Sequence, residues 1–198
     1  MKKNAILFSA SNYKKSSLIR ADDLPGVKYD IHAMYKRLTQ IGFEVKQIEN
    51  VSKDQIIPAL EDNASNSPCD AIHIVYFTGH GGHANGNNYI YPIDFASRFD
   101  TSKDIETSAM NIRDIISIYK GKGRLILILD ACRSDFESSK GYYSEITAAE
   151  DVYIAYGTQF QHTSIGISNE MSPFTKAICD EILEPNIDVD ELFTRVRR

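Results

Sequence analysis

Leu125-Ile126-Leu127-Ile128-Leu129 is a run of five aliphatic residues with no polar position to mark a solvent face. A strand that reads this way is covered on both sides, as central strands of parallel sheets are. Working outward, Ala71–Phe77 is a second such run, broken only by His73, and Ala5–Ser9 and Val152–Tyr156 are shorter ones. Between them lie helical periods. Ile31, Met34, Tyr35, Leu38 and Ile41 share one face of a helix over 30–41 that Gly42 ends. Phe43–Ile48 reads as a strand, and Ser52-Lys53-Asp54-Gln55 as a capping box opening a helix that Pro58 threatens to kink. A hairpin is expected around Tyr89-Ile90-Tyr91-Pro92. Asn111 caps a helix bearing Ile112, Ile115, Ile116 and Tyr119, which stops at Gly121. Ser172-Pro173 opens another, with Phe174, Ala177, Ile178 and Ile182 inward. Strands alternating with helices predict an α/β three-layer sandwich, helices on both faces of a mostly parallel sheet.

Composition narrows the function classes. The 198 residues suit one domain; 42% hydrophobic and 25% charged residues are ordinary globular values. The net charge of −5 and the lack of a basic stripe, beyond Arg195, Arg197 and Arg198, argue against a nucleic-acid partner. Apolar runs near 71–77 and 125–129 are strand-sized, so no membrane span is expected. Ala5–Phe8 is too short for a signal-peptide core. Three cysteines cannot form a complete disulfide framework, and a reducing, cytoplasmic setting follows as the expectation. Asp188–Glu191 starts a helix whose apolar face, Val189, Leu192, Phe193 and Val196, is still running at the last residue. Two expectations stay open there: a natural chain that continues, as the N-terminal domain of a longer protein, or a short terminal helix.

Ligands of open α/β sheets sit outside the carboxyl ends of the strands. After 71–77 comes Thr78-Gly79-His80-Gly81-Gly82-His83, and after 125–129 comes Asp130-Ala131-Cys132-Arg133-Ser134. If the two strands are neighbours, an imidazole and a thiol face one crevice. A thiolate is a nucleophile, and an adjacent imidazole takes its proton and later protonates a leaving amine. The N–H groups of Gly81 and Cys132 are candidate donors to a tetrahedral oxyanion. Each residue alone has a plainer reading: a cysteine at a strand end is usually a small buried hydrophobe, and a histidine there is usually structural. Cys179 reads as core and Cys69 as a loop residue. His80 with His83 could begin a metal site, but no carboxylate or cysteine stands at ligand spacing, so no metal or other cofactor is expected. No strand is followed by a phosphate loop, which removes the nucleotide-binding class.

Tyr76-Phe77-Thr78-Gly79-His80-Gly81 and Leu129-Asp130-Ala131-Cys132-Arg133-Ser134 resemble the His and Cys blocks of the caspase-like cysteine peptidases (peptidase C14, clan CD). The caspase cue is Q-A-C-[RQG]-G with the histidine about fifty residues upstream. The spacing matches, but Asp130 stands where caspases have Gln and Ser134 where they have Gly. Asp before Ala-Cys is similar to metacaspases and paracaspases. Leu24-Pro25-Gly26-Val27-Lys28-Tyr29-Asp30 resembles the segment after the family's first strand, and Tyr89 to Asp94 its post-histidine hairpin. Ser172-Pro173-Phe174-Thr175 resembles the C-terminal helix opening of bacterial members, so the likeness spans residues 4 to 183.

The resemblance implies a caspase-like fold and a cysteine endopeptidase, with His80 and Cys132 as the dyad. It also implies that Asp30 and Asp130 hold a basic P1 side chain. Electrostatics points the same way, since two carboxylates attract lysine or arginine and repel an acidic side chain. Each aspartate also has a plainer reading, as a helix N-terminal carboxylate for Asp30 and a turn residue for Asp130. The resemblance further implies a large-subunit-like part over 1–135, a linker over 136–147 with Lys140 as a self-processing point, and a small-subunit-like part over 148–198. Gly157–Glu170 would wall the substrate groove, and a sensor domain, fused or separate, would be the partner. The alternative is a catalytically idle scaffold of the same fold that binds a peptide.

Overall fold

The computed structural model describes residues 1–13, 23–65, 67–96, 102–131, 151–157 and 170–197, and the backbone of 134–135. Strands β1 (Lys3–Ser9), β2 (Glu44–Ile48), β3 (Ile72–Gly79), β7 (Arg124–Ala131) and β9 (Val152–Tyr156) form one sheet in the order β2-β1-β3-β7-β9. Every pair in it is parallel. The remaining strands, β4 (Gly81–Ala84), β5 (Asn87–Ile90), β6 (Met110–Asn111) and β8 (Ser134–Asp135), make a small sheet in the order β6-β5-β4-β8. The helices are α1 (Val27–Gln40), α2 (Lys53–Ala64), α3 (Ser102–Ser108), α4 (Ile112–Ile118), α5 (Pro173–Glu181) and α6 (Val189–Val196).

The strand period of two sorts the core into two layers. Ile6, Phe8, Val75, Phe77, Leu125, Leu127 and Leu129 pack with Ile56 and Leu60 of α2 and Ile112 and Ile115 of α4. Ala5, Leu7, Ile74, Tyr76 and Ile128 pack on the opposite face with Ile31, Met34 and Leu38 of α1, Ile178 of α5, and Leu192 and Phe193 of α6. This is the expected three-layer α-β-α sandwich, with a parallel central sheet. Among the described residues no helix is long and apolar enough to cross a membrane.

Local signals explain most element ends. Gln55 closes the capping box of α2 on the Ser52 backbone, and α2 runs unbroken through Pro58. The side chains of Asn111, Ser172 and Asp188 accept from Arg113 N, Thr175 N and Glu191 N and so cap α4, α5 and α6. Helix α1 starts three residues before the sequence reading, at Val27, directly after Pro25-Gly26. The hairpin differs more. Its two-residue turn is Asn85-Gly86, at φ 48° and 74°, and Tyr89 and Ile90 lie in its second strand. Asn-Gly is the pair that tolerates positive φ at both turn positions, a stronger signal than the aromatic run downstream. His73, the polar exception in β3, is fully buried, with Nε2 3.1 Å from the Lys122 carbonyl.

The strand order locates the functional edge. From β1 the chain steps to β2 on one side and then returns past β1 to β3, β7 and β9 on the other. The direction therefore reverses between β1 and β3, and the crevice outside their carboxyl ends is the preferred ligand position. At the opposite edge Gly123, at φ 109°, feeds β7 so closely that a Cβ would lie 2.2 Å from the Ala71 carbonyl oxygen. Gly123→Ala is expected to cost about 2–4 kcal/mol, from positive φ plus a backbone clash. Urea unfolding followed by circular dichroism measures it.

Candidate active site

The β3–β7 register carries the central juxtaposition. The ladder runs from Ile72 opposite Arg124 to Thr78 opposite Asp130 and Gly79 opposite Ala131. His80 is the next residue after β3, half-buried. Cys132, the next after β7, lies outside the described residues, as do Arg133, Lys140, the 136–147 segment and 158–169 of the expected groove wall. Gly81, buried, begins β4 and faces Ile90. His80 and Tyr91 make the adjoining cross-strand pair, with Tyr91 N donating to the His80 carbonyl at 2.9 Å. Antiparallel pairs alternate between bonded and non-bonded. The Gly81 N–H therefore points away from β5, on the side where β8 pairs with β4.

Asp30 and Asp130 come together although 100 residues separate them in sequence. Asp30 sits in the first turn of α1 and Asp130 at the end of β7, at 3% and 7% exposure. Ser172, the cap of α5, bridges them: its N–H donates to Asp30 Oδ1 at 2.7 Å, and its hydroxyl donates to Asp130 Oδ2. Thr78 Oγ1 donates to Asp30 Oδ2 at 3.2 Å, and Thr175 Oγ1 to Asp130 Oδ2 at 2.7 Å. Since the Thr175 proton is thereby used, Tyr76, whose oxygen is 2.7 Å from Thr175 Oγ1, is the donor in that bond. The other face of Asp130 meets Gly157, where a Cβ would stand 2.9 Å from Oδ1 and 2.5 Å from the Phe174 ring.

The electrostatics of this pair are unusual. Burial, and then the neighbouring Asp130 charge, push the Asp30 carboxyl up to about 7, against smaller opposing effects of the Ser172 and Thr78 hydrogen bonds. Burial also raises Asp130, opposed by the hydroxyls of Ser172 and Thr175. Two carboxylates this close and dry resist full ionisation unless a cation joins them. Among the described residues no group of three or more His, Cys, Asp and Glu side chains has the arrangement of a metal site.

The other cysteines match their reading. Cys69 is exposed, and Cys179 is core, its sulfur 3.8 Å from that of Met34. Burial pushes the Cys179 thiol up to about 11, away from the thiolate form. Sequence reasoning missed four contributors. Thr78 was visible as a polar residue ending an apolar strand, and Ser172 and Thr175 as a capping pattern, yet nothing local said that their hydroxyls would hold carboxylates from elsewhere. Tyr13, which contacts His80, carried no signal in its polar loop.

A family model described as the caspase domain (Peptidase C14) matches residues 2–198. The chain is similar to human (Homo sapiens) mucosa-associated lymphoid tissue lymphoma translocation protein 1, 21% identical over 193 residues, which cover 92% of this chain and 22% of that protein. It is similar also to the mouse (Mus musculus) homolog of that protein, 20% identical over 166 residues, 78% of this chain and 19% of the relative. The chain thus spans about a fifth of the length of these curated relatives.

The Asp30 shift has a stability consequence. Its carboxyl is raised in the fold, so its contribution to stability is complete below about pH 4 and is lost as pH rises through about 7. Asp30→Asn keeps an acceptor for Ser172 N–H, and the Thr78 hydroxyl can turn to accept from the new amide. The variant is expected to be more stable than wild type by about 1–3 kcal/mol at pH 8, and nearly equal to it at pH 4. Denaturant titrations at the two pH values check this.

Proposed function

The chain belongs to the caspase-domain family, a family of cysteine peptidases, and from that premise we propose that it cleaves peptide bonds after arginine or lysine. Cys132 is the nucleophile, His80 the proton carrier, and Asp30 with Asp130 the receptor for the basic side chain. The observation that carries this reading is the buried Asp30–Asp130 pair, bridged by Ser172 at the same end of the sheet as His80.

In this mechanism the substrate's guanidinium or ammonium group enters beside the two carboxylates and supplies the charge they lack. Its arrival displaces the proton that Asp30 holds near neutral pH, so part of the binding energy ionises the pair. An acidic side chain would meet the same two carboxylates and be refused. The scissile carbonyl then lies over Cys132. His80 removes the thiol proton, the thiolate attacks the carbonyl carbon, and the N–H groups of Gly81 and Cys132 hold the oxyanion. Collapse of the tetrahedral intermediate expels the amine, to which His80 returns the proton. Water, deprotonated by His80, then hydrolyses the thioester and frees the thiol. The direction of the Gly81 N–H, away from β5 and toward the side of β8, supports its share in this scheme, and the Gly79–Ala131 pairing supports a His80–Cys132 partnership.

The reading extends to organisation. Residues 1–135 act as the large-subunit-like part, 136–147 as a linker open to cleavage at Lys140, and 148–198 as the small-subunit-like part. The domain serves as the proteolytic end of a signalling or defence system, in a reducing cytoplasmic setting, under a sensor domain on the same or another chain. That the matched part is only about a fifth of each relative supports this arrangement.

Fluorogenic peptides ending in Arg or Lys, beside one ending in Asp, test the specificity. Cleavage of the basic peptides is expected, with loss of at least about a thousandfold in Cys132→Ala and His80→Ala. Preferential cleavage after Asp, or equal turnover by Cys132→Ala, would overturn the reading. A pH series gives a further check. Because Asp30 must lose its proton to hold the cation, KM for the Arg peptide is expected to fall as pH rises through about 7. In Asp30→Asn that fall is expected to vanish and KM to stay high.

A further inference from the structure

His80 leaves β3 at a point where the hairpin ladder is interrupted by a phenol. The register that pairs Gly81 with Ile90 makes His80 and Tyr91 the next opposed residues. Such a pair ordinarily exchanges two backbone hydrogen bonds. One is present, Tyr91 N–H to the His80 carbonyl at 2.9 Å. In place of the reciprocal bond stands the Tyr13 hydroxyl, which accepts from His80 N–H at 2.8 Å and donates to the Tyr91 carbonyl at 3.0 Å. The Tyr13 ring also lies against the imidazole, with centroids 4.8 Å apart and planes 53° apart.

The strut is itself firmly held. Tyr13 is 4% exposed. Its N–H donates to Asp23 Oδ1 at 3.1 Å, and Leu24 N–H donates to the Ser11 carbonyl at 2.9 Å. One step back, Asn50 Oδ1 accepts from Ser11 N and Asn12 N at 3.1 and 3.0 Å, and Ala10 N–H donates to the Thr78 carbonyl at 3.0 Å. A Cβ on Gly79 would stand 3.0 Å from the Tyr13 oxygen and 2.8 Å from the Phe77 ring, so the approach depends on a bare residue there.

We infer that Tyr13 is a positioning residue for His80: its hydroxyl, wedged between the His80 N–H and the Tyr91 carbonyl, keeps the ladder from closing through His80 and sets the direction in which the imidazole leaves β3. Without the hydroxyl, the two backbone groups face each other across a gap of one oxygen atom. Both lose a buried partner, and the cheapest repair is to close directly on each other. That closure turns the His80 backbone and carries the imidazole away from its working place. The inference rests on the reading of His80 as the proton carrier, and its test separates the two.

The test compares wild type, Tyr13→Phe, His80→Ala and Tyr119→Phe. The last loses a comparable hydroxyl, one that donates to Asn63 at 2.9 Å at the other end of the sheet. Cleavage of the Arg peptide gives kcat and KM, and alkylation of Cys132 by iodoacetamide against pH, located by mass spectrometry, reports the thiol without any substrate. For Tyr13→Phe, kcat is expected to fall about ten- to a hundredfold, as for a misplaced catalytic group. KM is expected to stay within about threefold, since the P1 receptor is untouched. The alkylation profile should shift toward that of His80→Ala, while Tyr119→Phe keeps both the wild-type kcat and profile. Should Tyr13→Phe fail to fold, Gly79→Ala displaces the same hydroxyl from the other side and carries the same expectation. Unchanged kcat and alkylation in a folded variant of either residue, beside an inactive His80→Ala, would overturn the inference and leave the proposed function standing. A fully active His80→Ala would overturn both.

Discussion

Backbone pairing along β3 is the constraint on which everything else depends. The strand is hydrogen-bonded to β1 on one side and β7 on the other, and both its faces are buried. Its peptide groups have no water to turn to, so only full, in-register pairing satisfies them. Alternating Val75 and Phe77 against Ile74 and Tyr76 then pins the register, because a slip of one residue would trade the two cores. Once the register is held, Thr78 must end opposite Asp130 and Gly79 opposite Ala131. The chemistry-bearing residues inherit their places from hydrophobic bookkeeping several residues away.

Against that frame the Asp30–Asp130 pair is a local conflict. Two carboxylates at single-digit exposure oppose each other and the burial that holds them. Part of the compensation comes from helix ends. Asp30 occupies the first turn of α1, while Asp130 faces the start of α5 through the Ser172 and Thr175 hydroxyls. Helix N-termini carry partial positive charge and spare N–H groups, so they soften the penalty without removing it. The repulsion that remains is the physical basis of the specificity proposed above. A buried carboxylate pair is destabilising when it is ionised without a counter-charge, and perturbed groups of this kind mark candidate ligand sites.

The small sheet serves the large one. Asn85-Gly86 turns the chain directly after the histidine block, and β4 and β5 return it over the strand ends. The hairpin stops short of a complete ladder at His80 and Tyr91, where a side chain from the β1–α1 connection replaces a backbone bond. Residues 11–13, tied to Asn50 and Asp23, link the first strand, the hairpin and the histidine at the switch point of the sheet.

Local chemistry made much of this legible. The aliphatic runs at 71–77 and 125–129 marked central strands because burial on both faces leaves no polar period. Asn111, Ser172 and Asp188 announced their helices because a capping oxygen acts on a donor two or three residues away. His80, Gly81, Asp130 and Cys132 could be singled out because they follow directly on such strands. The Asn85-Gly86 pair carries the turn signal that the expectation around Tyr89-Ile90-Tyr91-Pro92 did not use. Other features lay beyond any linear reading. That Ser172 bridges Asp30 and Asp130, or that Tyr13 stands between His80 and Tyr91, follows only when strands distant in sequence are brought within hydrogen-bonding distance. Periodicity and capping are short-range and so belong to the sequence. Partnership among buried polar groups is decided by packing, which the sequence by itself leaves unspecified and the tertiary structure alone completes.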